Sequence, residues 1–185
     1  ELFDQVLGKD KAHNEEEFRA QIKETIAKQF EADSDYKFLI DVRNYAANKV
    51  GKLEFADELM KRIMLENNKE KGEEFVAEHY DKSIEELTWH LIKEKLVRAN
   101  DIKVEQSDIT EMAKEATRAQ FAQYGMINVP EELLENYSKE MLKKQESVEA
   151  LVNRTVEAKL CAVLKGQVTL NHKAVSAEEF NKMFE

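Results

Sequence analysis

Proline occurs once in the 185 residues, at Pro130, and glycine five times. Breakers this sparse exclude an all-β architecture, which needs frequent turn residues. They point to long helices joined by short links. Cysteine also occurs once, so no internal disulfide can form, and this usage fits a reducing cytoplasm. No apolar run approaches the roughly 18 residues needed to cross a bilayer, and no secretory segment opens the chain. An excess of positive charge is lacking too. The net charge is −10, which gives no electrostatic reason to hold nucleic acid or anionic lipid.

What is present is apolar matter on a strongly charged background: 42% hydrophobic and 36% charged residues. That suffices for a core in one domain or lobe, and the charge is above the usual quarter. The chain opens at Glu1 within a Leu-Phe-Asp segment, as expected of a piece of a longer protein.

Residues 1–13 read as a lead-in. Asn14 and Glu17 form a capping pair, and Glu15 and Glu16 suit the positive end of a helix dipole. Phe18, Ile22, Ile26 and Phe30 follow at steps of four, then Phe38, Leu39, Val42, Tyr45 and Ala46. A helix over 15–49, ended by Gly51, would be about 50 Å long and must lie against partners or project from a body. After an extended link at 52–55, helices are expected at 57–69 and 73–82. The pair Ser83 and Glu86 predicts a fresh helix over 83–99, in which Trp89 is a candidate core ring, and Asn100 is expected in the left-handed conformation. Helices follow from near Ser107 to Tyr124, from Pro130 to about 144, and over 147–165 with Gly166 ending it. Ser176 and Glu179 make a second capping box before a terminal turn with Phe180, Met183 and Phe184. The fold class is therefore all-α.

Reactive groupings are scarce. His13, His79, His90 and His172 show no metal-ligand spacing, and no glycine-rich phosphate loop or nucleophile elbow occurs. Adjacent acids such as Glu131 and Glu132 diverge on a helix and read as dipole partners. Cys161 lies among Leu160, Val163 and Leu164 and reads as a buried structural thiol. No cofactor or metal is expected, and no catalytic residue.

Apolar surface remains. Met60, Ile63, Met64, Phe75, Tyr80, Met126, Ile127, Val129, Leu134, Tyr137 and Met141 sit on short helices beside loops, where cover is incomplete. Methionine is flexible and recurs on surfaces that take many partners. The same residues can equally pack on one another as a small core.

Several stretches resemble trigger factor, the bacterial ribosome-associated chaperone. The run 86–104 ends Arg98-Ala-Asn-Asp-Ile-Lys-Val104, like the family's helix followed by an Asn-x-Ile-x-Val link. The helix end Ala122-Gln-Tyr-Gly125 resembles the stretch that follows it. Residues 3–8 and 14–20 resemble the exit from the family's isomerase domain, and 148–159 with 168–170 its closing helix and link. One departure is Phe55-Ala56, where the family often carries proline. The resemblance implies a carboxy-terminal domain over 1–185: an elongated multi-helix body with a long first helix, two projecting arms at about 57–82 and 105–144, and a closing segment at 147–185. It implies an ATP-independent cradle for unfolded or nascent polypeptides, assisting folding and export. Ribosome contact and prolyl isomerase activity would belong to domains outside this chain. The expected state is a cytoplasmic monomer or weak homodimer. The alternative is an acidic helical module that binds one specific partner.

Overall fold

The computed structural model of the chain describes residues 3, 7, 12–124, 126 and 129–184. Among them are helices and no strand: α1 Glu15–Val50, α2 Asp57–Asn67, α3 Gly72–Ala99, α4 Gln106–Gln123, α5 Glu131–Met141, α6 Gln145–Gln167 and α7 Ala177–Asn181, then a 3-10 turn Lys182–Phe184. The all-α expectation holds.

Helix α1 starts as its capping pair dictates. Glu17 N–H donates to Asn14 Oδ1 at 2.8 Å, and the Glu17 carboxylate accepts from Asn14 Nδ2 and from His13 N–H, each at 2.8 Å. It ends at Gly51, whose φ of 72° favours glycine. None of its residues is buried. Gly72, with φ of 74°, makes the tight turn from α2 into α3.

Two expectations about α3 are corrected. Ser83 does not open a helix. Its hydroxyl donates to the His79 carbonyl at 3.0 Å, the back-bond of a mid-helix serine, and α3 runs on as one element. With no glycine or proline between Glu73 and Ala99, nothing breaks it. The left-handed residue after the helix is Asp101, at φ of 49°, while Asn100 stays at φ of −102°. Asn100 turns its amide onto the Leu96 carbonyl at 2.8 Å instead. A smaller correction concerns Gly166, which lies inside the last turn of α6, with Val168 N–H closing on Leu164 O at 3.1 Å.

The chain divides into two compact units. One comprises 1–38 and 102–185, the other 39–101. In the first, α4 packs against both α5 and α6. Ala113, Leu134, Leu151, Leu160, Cys161 and Leu164 are buried, together with Thr117, Ser138 and Thr155. The small members let the helix backbones approach closely. Their hydroxyls are satisfied locally: Thr117 donates to Ala113 O at 2.7 Å, Thr155 to Leu151 O at 2.8 Å and Ser138 to Glu135 O at 3.0 Å. Lys114 binds Glu131 at 2.7 Å between α4 and α5. Lys159 reaches both Asp108 and the Lys103 carbonyl, tying α6 to the start of α4.

In the second unit the pair α2–α3 is joined more sparingly. Val76 and Tyr80 are its buried side chains among the described residues. The Tyr80 hydroxyl donates to Asp57 Oδ1 at 2.7 Å, and Lys61 lies over its ring at 5.0 Å. Burial, followed by that bond to Asp57, pushes the phenol pKa up to about 12.

Candidate functional site

Apolar surface survives where a helix end outruns its cover, and the α4–α5 junction shows how. The amides of Tyr124 and Met126 both donate to the Phe121 carbonyl at 3.0 Å, so the chain folds over the end of α4. Pro130 precedes α5 and receives the amides of Leu133 at 3.0 Å and Leu134 at 3.1 Å. This return brings Tyr137 edge-on to Phe121, with ring centroids 5.0 Å apart. The result is a cluster around Phe121 in which Tyr124 is 77% exposed, Tyr137 53% and Met126 44%.

The expected site residues divide by burial. Met126 and Tyr137 share this cluster, and Val129 is half-buried in the same connection. Ile127 lies outside the described residues. Leu134 is 2% exposed and belongs to the α4–α6 core, so it cannot offer a face to a ligand. Met141 is half-buried and its sulfur accepts from Thr117 Oγ1 at 3.5 Å, which is a packing role. On α2, Ile63 is exposed beside exposed Leu59, with Met60 and Met64 half-buried. Phe75 is half-buried, stacked on the His79 ring at 4.2 Å and covered by Lys71 at 4.2 Å. Tyr80, 8% exposed and bonded to Asp57, anchors the α2–α3 pair and presents no free surface.

Within the second unit a cleft of about 1100 Å³ opens between the end of α1, the link after Gly51 and the middle of α3. Phe55, Ile84 and Trp89 contribute apolar wall, and Glu54, Asp57, Asp81 and Glu85 acidic edges. Trp89, a candidate core ring by sequence, is half-buried and faces this cleft. Arg43, also on the wall, is engaged by Glu86 at 2.9 Å.

Sequence reasoning missed a further surface on α1. Ile26, Phe30 and Tyr36 are exposed, on a helix that by sequence either lies against partners or projects from a body. The signal was present as spacing. Nothing in the spacing says whether a partner covers it.

The groups nearest to chemistry are structural. Among the described residues no three of His, Cys, Asp and Glu converge to hold a metal, and no helix is long and apolar enough to cross a membrane. Cys161 is buried on α6, its sulfur 3.8 Å from the Asp35 carbonyl, and burial raises its pKa. Lys165, one turn on, pairs with the Asp35 carboxylate, which raises the ammonium pKa.

Residues 34–184 match the model of a family described as "Probable trigger factor, C-terminal domain". No curated protein and no solved structure matches the chain.

Proposed function

We propose, from the premise that the chain belongs to the probable trigger factor C-terminal domain family, that it is an ATP-independent chaperone domain that holds unfolded or nascent polypeptides on separate apolar patches. The observation that supports this reading most directly is the Phe121 cluster, with Tyr124, Met126 and Tyr137 left open on a highly charged molecule. Aromatic rings and methionine give contact area that adapts to many sequences. The surrounding charge keeps such patches from self-association. Leu59 and Ile63 on α2 supply a second patch of the same kind. We assign the two arms of the family to 57–82 and 105–144, the closing segment to 147–185, the working compartment to the cytoplasm, and the state to monomer or weak homodimer. The domain binds without turnover of its own.

The experiment is suppression of aggregation. At stoichiometric amounts, native chain should slow the aggregation of a refolding client and bind a hydrophobic dye. If it does neither, the reading fails.

One observation favours the alternative, a module with one specific partner: the cleft in the second unit has a defined volume and mixed walls. A peptide array separates the two. Broad capture of apolar and aromatic peptides supports the chaperone, and a single saturable sequence supports the module.

A further inference from the structure

The C-terminal turn lies on α1. Ser176 N–H and the Glu179 carboxylate bond at 2.9 Å, and Glu179 N–H donates back to Ser176 Oγ at 3.3 Å, so α7 is pre-shaped by its own capping box. That shape places Phe180 and Phe184, four residues apart, against two rings of α1. Phe180 meets Phe30 edge-on at 5.9 Å between centroids, Phe184 lies parallel to Tyr36 at 6.1 Å, and the two phenylalanines touch each other at 5.2 Å. All of these residues belong to the same compact unit.

This contact differs from the core of the same unit. No residue of α7 or the 3-10 turn is buried. Phe30, Tyr36, Met183 and Phe184 stay exposed despite touching. The approach through 169–176 carries no helix, and a hollow of about 330 Å³ remains beneath, lined by Phe30, Val175 and Phe180.

The apolar stripe also extends past the turn. Ile26, Ile22 and Phe18 precede Phe30 at four-residue steps and border a second hollow of about 720 Å³, with Phe3 stacked on Phe18 at 4.8 Å. The turn therefore meets the stripe at Phe30, and Ile26, one step before it, stays exposed, whereas Ile22 and Phe18 are half-buried.

We propose that the C-terminal turn is a displaceable internal ligand of this stripe: a stand-in for an unfolded segment with two aromatic residues four apart, which such a segment displaces to reach Phe30, Tyr36 and the adjoining Ile26. The occupant is fixed by what already sits there, Phe-x-x-x-Phe running from α7 into the 3-10 turn. The inference rests on the chaperone reading above and adds a recognition pattern and a brake to it. A tethered segment competes at an effective concentration on the order of millimolar, so even a weak contact is occupied at rest. Occupancy of nine-tenths would weaken apparent client affinity about ten-fold, because only the vacant fraction binds.

The test uses the full chain with Phe180→Ser and Phe184→Ser, and a fluorescent synthetic peptide of residues 175–184. Circular dichroism first checks that helix content is unchanged, as expected where neither side chain is buried. By anisotropy, the peptide should bind the double variant several-fold more tightly than the unsubstituted chain. Adding Phe30→Ser should remove that gain, and a reduced, carboxymethylated client should displace the peptide. Equal binding to both chains, no binding to the double variant, persistence with Phe30→Ser, or no displacement by client each overturns the proposal. Failure of the unsubstituted chain to suppress aggregation sinks the chaperone reading separately, since peptide exchange at Phe30 is read without a folding client.

Discussion

Between α4, α5 and α6 the apolar groups are hidden: Leu134, Leu151 and Leu160 are each at most 2% exposed, and small hydroxyl residues fill the gaps between helices. Between α2 and α3 only Val76 and Tyr80 are buried among the described residues, and a hydrogen bond to Asp57 does much of the joining. Both regions are helical and carry a net negative charge. They differ in how much of their hydrophobic content is used for stability and how much is left at the surface. A thin core leaves Leu59 and Ile63 outside, while among the described residues of the thick core the exposed large apolar groups, Tyr124, Met126, Leu133 and Tyr137, gather where α4 turns into α5.

The largest expected effect breaks the thick core. Leu160→Ala should cost about 3–4 kcal/mol, because a fully enclosed side chain leaves a cavity that close-packed helices fill poorly. Urea unfolding measures the loss, and hydrogen exchange should place it in 106–167. Equal loss of protection over 57–99 would show that the two regions unfold as one, and the comparison would fail. Val76→Ala should cost less, about 1–2 kcal/mol, with exchange rising mainly in α2 and α3.

The third prediction sharpens the comparison through pH. The Tyr80 phenol has its pKa pushed up to about 12 in the fold, from the 10.0 of a free tyrosine. Below the unfolded value both states hold the proton and stability is unaffected. Between about pH 10 and 12 only the folded state holds it, so stability falls as pH rises. Ultraviolet titration should show late ionisation of Tyr80, and Tyr80→Phe should remove both that signal and its share of the alkaline loss. Smallest in stability terms are Met126→Ser and Ile63→Ser, each within about 0.5 kcal/mol at exposed positions. On the chaperone reading they should still weaken client binding several-fold, and a cooperative loss of fold would place them in the core.

What was legible in the sequence was local. Asn14 with Glu17, Ser176 with Glu179, and Gly51 each act within one turn of chain, and each does in the structure what its chemistry requires. Ser83 with Glu86 carries the same pattern but lies inside α3, where the hydroxyl has the His79 carbonyl within reach and no breaker frees it to cap. Burial was not legible, because it depends on remote partners. Leu134 and Tyr137 lie three residues apart on α5, yet the first is packed away at 2% exposed while the second stands beside Phe121 with half its surface open. The stripe on α1 has the same cause: its spacing was visible, and its lack of cover was not.

The lone thiol has a practical consequence. Cys161 is buried on α6 with its sulfur near the Asp35 carbonyl, and its pKa is raised, so thiolate is scarce at neutral pH. A thiol reagent can then react only when the packing around the Cys161 sulfur opens. The rate of labelling becomes a clock for that opening, kept by a single atom that needs no engineered probe.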